Sequence, residues 1–274
     1  MKRRDFIKWA SFTGTLCLAG IYPVCIERNI VQFNVYKIRI PNLPREFDSF
    51  RIVHLTDIHY GLFVSEEFIE KLVYRINKIP CDVIVCTGDF VHSNHLFIQI
   101  DNVWSILNKL SAPHGVFSVL GNHDHWVDEN RSIDWLNKSD QNLRHKSFCI
   151  ERNGKNFHLI GTGDLWEDYI NLDRTSKNIP WSDTKIVLAH NPDTADLQKD
   201  IPIDLWITGH THGGQVNIPF VGTPVLPVIN KNYSSGLKIS KNNEKVFISK
   251  GIGWAIYPIR FNCYPEVAII DLVC

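Results

Sequence analysis

The chain has 274 residues, 44% hydrophobic and 21% charged, so it is long enough and apolar enough to bury a full core. Its 29 basic and 29 acidic side chains give no net positive field, which argues against nucleic acid as a partner. Seven irregularly spaced cysteines without a CxxC pair argue against a disulfide framework and a thiolate zinc site. We expect one large globular domain and a monomeric protein.

The first 30 residues differ in composition from the rest. Four basic side chains stand near their start: Lys2, Arg3, Arg4 and Lys8. An uncharged stretch of moderate hydrophobicity follows, from Trp9 to Ile26. This pattern resembles a twin-arginine signal. We therefore expect a signal or membrane-anchor segment over residues 1–30 and the functional domain over residues 31–274.

The same segment predicts where the protein works. Basic residues stay on the cytoplasmic side of a membrane, so the domain is expected to be membrane-associated and extracytoplasmic. The alternatives for the segment are an amphipathic cytoplasmic start or a short uncleaved anchor, and the alternative location is the cytoplasmic face of the inner membrane. A spanning helix needs about 20 apolar residues, and Pro23 interrupts this stretch.

The first half of the domain alternates predicted strands and helices. Strands are expected at 35–40, 50–55, 82–86 and 115–120, with helices after Ser65 and over 98–110. Ser65 is a suitable N-cap, and an apolar stripe from Phe68 to Ile76 has helical spacing. This order is typical of βαβ units in a parallel sheet.

The second half predicts a more mixed sheet. Segments 148–151 and 157–160 flank Asn153-Gly154, a hairpin signal. Strands follow at 185–189 and 204–208, and the segments 236–240, 246–249 and 266–273 are expected to be antiparallel. No repeat or linker divides the chain, which predicts one α/β domain.

Five of these strands end on polar residues that can bind metal. The residues concerned are Asp57 and His59, Asp89, Asn122 and His123, His190, and finally His210 and His212. Each alone has an ordinary explanation, such as a helix cap or a hydrogen-bonded histidine. Ligands bind outside the carboxyl ends of strands in α/β sheets, so all five together predict one metal site.

These motifs resemble the sequence pattern of calcineurin-like metallophosphoesterases. The resemblance extends from about Arg51 to the C-terminus and implies an α/β fold with two mixed β-sheets in a sandwich flanked by α-helices. It also implies two divalent ions (Mn, Fe or Zn) that activate a water nucleophile. By the resemblance, the ligands would be Asp57, His59 and His212 for one ion and Asn122, His190 and His210 for the other, with Asp89 bridging.

The run GHTHGGQVNIP, which starts at Gly209, narrows the resemblance to a bacterial branch with twin-arginine-type leaders. That branch includes membrane-associated phosphodiesterases and is similar to calcineurin-type UDP-2,3-diacylglucosamine pyrophosphatases. We expect a phosphodiester or diphosphate substrate that is small or lipid-linked, such as UDP-2,3-diacylglucosamine, and contact with a membrane surface. The alternatives are a general phosphatase of nucleotides or cell-wall polymers and a metal-binding scaffold without turnover.

His123 and Asp124 are the expected catalytic residues. His123 binds no metal in this scheme and would protonate the leaving alkoxide, with Asp124 as a neighbouring acid or, alternatively, a solvent-facing cap. Many relatives carry Gly-Asp-x-x-Asp, whose second acid orients the catalytic histidine, whereas this chain has His92 there and Ser93 in place of an arginine. The partner of His123 is therefore open, and a protein-phosphatase activity is disfavoured.

Other side chains are weaker candidates. Arg260 could grip the substrate phosphate, with a surface ion pair as the alternative. Asp164 also follows a strand and is interpreted as a turn residue. Tryptophans could line an apolar groove for acyl chains, although core packing is expected for most of them: Trp166, Trp181, Trp206 and Trp254.

Overall fold

The computed structural model describes residues 3–5, 8–9, 14, 20–61, 63–92 and 97–274. Thirteen of the 30 residues of the predicted signal segment, Lys2 and Cys17 included, lie outside the described residues, and so does Ser93. None of the helices formed by the described residues is long and apolar enough to cross a membrane.

The first sheet has five strands, in the order β1-β11-β2-β3-β4. They are β1 (Gln32–Arg39), β2 (Arg51–Leu55), β3 (Val83–Thr87), β4 (Val116–Val119) and β11 (Glu266–Val273). Strands β2, β3 and β4 are parallel, while β11 is antiparallel to β2 and parallel to β1. Three parallel strands therefore end at the same edge of this sheet.

The second sheet has six strands, in the order β5-β6-β7-β8-β10-β9. They are β5 (Ser147–Arg152), β6 (Lys155–Gly161), β7 (Lys185–Leu188), β8 (Leu205–Thr208), β9 (Gly236–Ile239) and β10 (Lys245–Ile248). The predicted β5–β6 hairpin is confirmed. The last three strands were expected to be antiparallel, and this is confirmed for β9 with β10. On its other side β10 is parallel to β8, and β11 belongs to the first sheet. A long loop after β10 lets the chain cross over.

In the described part of residues 20–274, four α-helices cover the sheets: α1 (Glu66–Ile76), α2 (Ile98–Leu107), α3 (Asn122–Lys138) and the single turn α4 (Leu172–Thr175). The predicted cap of α1 is present, because Ser65 Oγ accepts a hydrogen bond of 3.2 Å from the Phe68 amide. Helix α3 was not predicted. Its buried apolar residues are Val127 and Leu136, too few to give a helical stripe.

Three apolar layers hold the sandwich together. One lies between the two sheets and contains residues of both, such as Val85 and Ile207. A second packs the outer face of the first sheet against α1, α2 and α3, and a third covers the outer face of the second sheet. The predicted fold, two mixed sheets flanked by helices, is confirmed.

Residues 22–29 form two short helical turns that contact the loop after β10. The carbonyl of Pro23 accepts from the Arg260 amide at 3.1 Å, and Glu27 Oε1 accepts from the Cys263 amide at 2.6 Å. The Arg28 guanidinium lies 4.7 Å from the Trp254 ring centroid. The end of the predicted leader is thus in contact with the domain, and the boundary at residue 30 stays a prediction.

Candidate metal centre

The polar residues after the strands meet at one end of the sandwich. Six of the seven predicted ligands form two groups, within each of which the potential ligand atoms lie no more than 4.8 Å apart. Both groups take residues from both sheets, so the packing of the sheets creates the site.

The first group consists of Asp57, His59 and His212. His59 Nε2 lies 3.0 Å from His212 Nε2, which in turn lies 3.4 Å from Asp57 Oδ1. The Asp57 carboxylate is fixed from outside, because it accepts from Thr56 Oγ1 at 2.8 Å and from the His210 amide at 3.0 Å. Its remaining coordination capacity faces the two imidazoles.

The second group consists of Asp89, His190 and His210. His190 Nε2 lies 3.2 Å from Asp89 Oδ2 and 3.1 Å from His210 Nδ1. Asp89 Oδ2 also lies 3.4 Å from His59 Nε2 of the first group. This carboxylate therefore stands between the two groups, where a bridging ligand has to be.

Backbone carbonyls set the tautomers of two histidines. His190 Nδ1 lies 2.7 Å from the Thr87 carbonyl oxygen, and His210 Nε2 lies 3.0 Å from that of Pro227. A carbonyl only accepts, so each of these nitrogens donates and the opposite ring nitrogen faces the centre. Such outer hydrogen bonds orient metal-binding histidines in proteins.

The residues present fit divalent cations. Asn122, the seventh predicted ligand, begins α3 and is buried, and its Oδ1 has no hydrogen-bond partner among the described residues. Ring nitrogens that face each other at 3.0 and 3.1 Å need a proton or a cation between them. A pair of divalent ions held here would supply Lewis acidity toward a phosphoryl group and would activate water as a nucleophile.

Burial makes the charges of the centre strongly interdependent. Burial alone disfavours the charged form of His190, but the carboxylates of Asp89 and Asp57 outweigh it and raise the pKa of His190 to about 10. Burial likewise disfavours the Asp89 carboxylate, yet His190 and then His123 hold the pKa of Asp89 well below its usual range. Asp89 is therefore ionised and requires a positive charge beside it.

His123 lies at the edge of the centre. Its amide donates to Asp89 Oδ1 at 2.9 Å, and its ring packs edge-on against His59 with 4.5 Å between the centroids. Burial lowers the pKa of His123 despite the nearby Asp89. This placement allows contact with a substrate in the centre, and its role as proton donor stays a prediction.

Asp124 differs from expectation. It is buried, and its carboxylate accepts from the amides of Asp89 (2.8 Å), Phe90 (2.9 Å) and Gly121 (3.0 Å). Burial and then Asp89 raise the pKa of Asp124 to about 7. The alternative of a solvent-facing cap is wrong, because the carboxylate is buried and accepts from amides of the loops that carry Asp89 and Gly121. The role of Asp124 as a neighbouring catalytic acid stays a prediction. The hydrogen bond from the Asp89 amide holds the backbone at Asp89 in place.

The expected phosphate contact of Arg260 is also corrected. The side chain is fully buried, and its guanidinium donates to the carbonyls of Lys250 (2.8 Å), Gly253 (3.0 Å from Nε) and Cys263 (3.3 Å). Its N–H groups donate to backbone carbonyls, so the side chain stabilises the loop after β10. It forms neither a phosphate contact nor the alternative surface ion pair.

The backbone of the centre is strained. Five ligands have φ angles between 49° and 68°: Asp57, His59, Asp89, His210 and His212. Such left-handed conformations are uncommon outside glycine and cluster at functional sites. Gly121 is required for space, because a Cβ there would lie 2.3 Å from Asp89 Oδ1. The ligands are held in place by close packing on all sides.

Two aromatic side chains border the centre. Trp126, which the sequence interpretation did not single out, is half-exposed and lies 4.7 Å from the His123 ring centroid. Its spacing of three residues from His123 on a helix is the signal that could have found it. Trp166 packs edge-on against His210 at 4.5 Å. Both could contact a bound substrate.

The remaining candidates are placed as follows. Asp164 is a turn residue whose Oδ1 accepts from the Trp166 amide at 2.9 Å, while its buried Oδ2 has no hydrogen-bond partner among the described residues. Trp206 and Trp254 are buried in the core, and Trp181 is exposed. Core packing, the expectation for most of the tryptophans, therefore holds for two of the four.

Comparison with known proteins agrees with this geometry. The sequence profile of the calcineurin-like phosphoesterases matches residues 50–214, which include all seven predicted ligands. Phosphodiesterase YaeI of Escherichia coli is 35% identical over 230 residues, which cover 82% of each chain.

Two further relatives extend over nearly the whole chain. The metallophosphoesterase YkuE of Bacillus subtilis is 28% identical over 99% of this chain and 98% of its own. The UDP-2,3-diacylglucosamine pyrophosphatase LpxG of Chlamydia muridarum is 24% identical over 92% of each chain. From the profile match and these relatives, we conclude that the chain belongs to the calcineurin-like phosphoesterase family and is a metal-dependent phosphoester hydrolase.

Proposed function

We propose that the protein hydrolyses a phosphodiester or diphosphate in a lipid-linked or envelope substrate, of which UDP-2,3-diacylglucosamine is one example. The similarity to a phosphodiesterase and to a pyrophosphatase supports the reaction class. Imidazole, carboxylate and amide ligands without thiolate favour two ions of Mn, Fe or Zn.

The proposal of a lipid-linked substrate is supported by an apolar cavity beside the centre. It has a volume of about 430 Å³, and its lining includes Thr211 and the ligand His212 together with Val225, Ile256 and Tyr257. Its size falls within the roughly 300–1,000 Å³ of small-molecule sites. A phosphate at the centre would place an attached acyl chain in this cavity.

Three residues of the cavity lining are exposed, and with two exposed residues that precede Val225 in the chain they are here called the apolar rim: Phe220, Val221, Val225, Ile256 and Tyr257. They lie on two loops that are joined by the hydrogen bond of 2.8 Å from the Asn217 amide to the Phe261 carbonyl. Exposed apolar clusters of this kind mark protein or membrane contacts. We propose that the rim contacts the membrane that holds the substrate.

The residues of the centre have different roles in the proposed reaction. Asp89 holds its charge between the two ligand groups and fixes the His123 amide, so that the His123 ring is directed by the centre itself. His123 donates a proton to the leaving oxygen. Because Arg260 is occupied by backbone carbonyls, it supplies no phosphate clamp of the kind phosphomonoesterases use.

The test is a series of diesters with one head group and increasing acyl length, assayed with the metal-loaded enzyme. Each methylene that enters the cavity contributes about 0.8 kcal/mol, or roughly fourfold in kcat/KM, until the cavity is full. The variant Ile256→Ser should flatten this slope while bis-p-nitrophenyl phosphate, which has no chain, is hydrolysed at the wild-type rate. Equal kcat/KM for all chain lengths would refute the lipid substrate and favour a general phosphatase.

We further propose an extracytoplasmic, membrane-associated protein that has passed through the twin-arginine route. The basic residues at the start of the sequence and the apolar rim support this. The double variant Arg3→Lys, Arg4→Lys should retain the protein in the cytoplasm, measured by fractionation and protease accessibility in spheroplasts. If the wild type is already protected from protease, the protein acts on the cytoplasmic face.

A further inference from the structure

His92 stands where the family pattern has an acid, on the loop after β3. Its amide donates to the Tyr60 carbonyl at 2.9 Å, which fixes the backbone beside the metal centre. Its ring is half-buried, and its Nδ1 is a buried atom without a hydrogen-bond partner among the described residues. Nothing in the chemistry proposed above uses this imidazole.

The ring of His92 lies against two other histidines. Its centroid is 5.6 Å from that of His59 and 5.7 Å from that of His123, and those two are 4.5 Å apart. One potential ligand nitrogen from each ring lies within 4.8 Å of the others. In a tetrahedral site with zinc–nitrogen distances of about 2.1 Å, ligand nitrogens lie about 3.4 Å apart, so small ring rotations bring these three into range.

The three rings are better suited to a cation than to protons. Protonation of one imidazole disfavours protonation of its neighbours, because like charges repel over these distances. Neutral imidazole is the form that binds metal. His59 Nδ1 is also buried and lacks a hydrogen-bond partner in the described part of the chain. Two of the three rings therefore offer an unused nitrogen.

We propose that His59, His92 and His123 form a third divalent-cation site, selective for zinc-like ions, at the edge of the centre. It rests on the binuclear centre of the proposed function, because His59 belongs to both. A cation held here withdraws His123 from the leaving oxygen, so its binding inhibits turnover. The protein would then be inhibited by zinc in excess of what the centre requires.

The shared ligand sets the affinity and the selectivity. His59 already serves the first group through Nε2, so a third ion held by Nδ1 of the same ring is repelled by the ion in the first group and binds more weakly than the first two. Three nitrogen ligands favour zinc, cobalt and similar ions, whereas magnesium and calcium prefer oxygen. Inhibition should therefore appear with excess zinc and be absent with excess magnesium.

The experiment is equilibrium dialysis of the full chain against zinc, with the bound metal counted by mass spectrometry. We expect three equivalents for the wild type, two for His92→Ala and three for the control His114→Ala, whose histidine packs against Phe50 outside every ligand group. With cobalt, the third equivalent should add a visible absorption band in the wild type. The same addition should give no such band in His92→Ala. Excess zinc should inhibit His92→Ala only at concentrations more than about tenfold higher than for the wild type.

Equal zinc counts in the wild type and His92→Ala would overturn the inference while leaving the proposed function intact if two ions and turnover remain. Absence of any bound ion in the wild type would overturn both. His92→Asn is the second variant. If both substitutions also remove the first two ions, His92 supports the binuclear centre and the separate third site is refuted.

Discussion

At the metal centre every predicted ligand is at most 5% exposed, whereas on the neighbouring apolar rim the side chain of Phe220 is fully exposed. The centre is held by hydrogen bonds to its ligands and by strained backbone, and Gly121 there has no space for a Cβ. The side chains of the rim are all at least 69% exposed. The residues of the centre are thus fixed within the fold, whereas the proposed contact with the membrane involves exposed surface residues.

The largest effect is expected at the charge between the two ligand groups. Asp89→Asn keeps the size of the side chain but removes the carboxylate that lies near both His59 and His190. We expect loss of both ions and of measurable turnover, checked by metal analysis and by hydrolysis of bis-p-nitrophenyl phosphate. Two bound ions with normal turnover would show that Asp89 does not bridge.

His123→Ala separates chemistry from metal binding inside the centre. The ions should remain, while kcat falls by roughly 10²- to 10⁴-fold, the usual contribution of general acid catalysis. The loss should be smaller for substrates with good leaving groups, which need little protonation. If poor and good leaving groups lose equally, His123 only positions the phosphate.

A change on the rim should leave the centre untouched. Phe220→Ser removes a fully exposed phenyl group, so stability should stay within about 0.5 kcal/mol of the wild type. Burial of a Phe side chain is worth about 1.5–3 kcal/mol, which predicts a drop of about tenfold or more in partitioning to lipid vesicles. Unchanged partitioning, measured by vesicle sedimentation, would contradict membrane contact through this loop.

The smallest effect is expected away from both regions, at Asp168. Burial opposes its charge, but hydrogen bonds from His145 and Arg144 outweigh burial and depress the pKa of Asp168. A depressed pKa in the folded state gives stability that is fully present above the unfolded value near 3.9 and is lost progressively as the pH falls from that value toward the lower pKa of the folded state.

Asp168→Asn should therefore lower stability at pH 7 by no more than about 1 kcal/mol and flatten the loss of stability between about pH 5 and 3. Urea unfolding across this range checks it, with hydrolysis at pH 7 unchanged as the control. An unaltered pH slope would show that the interactions of Asp168 are equally present in the unfolded chain.

The sequence predicted the centre better than its surroundings. Ligands such as Asp57 and His190 directly follow buried strands, and strand ends converge by the rules of sheet packing. The roles of Asp124 and Arg260 could not be read in this way, because whether a carboxylate or guanidinium faces substrate or backbone depends on loops far apart in the chain. Helix α3 was missed because few of its buried residues are apolar.

The contact between residues 22–29 and the loop after β10 has a mechanical consequence. A pulling force on the chain before Tyr22 would act on Pro23, whose carbonyl oxygen accepts a hydrogen bond of 3.1 Å from the Arg260 amide. The Arg260 guanidinium donates to the Gly253 carbonyl oxygen, and the Gly253 amide donates to the Asp57 carbonyl oxygen at 2.6 Å. A force on the N-terminal side of this protein would therefore be transmitted through the hydrogen bonds of Arg260 and Gly253 to the backbone of Asp57, a predicted metal ligand.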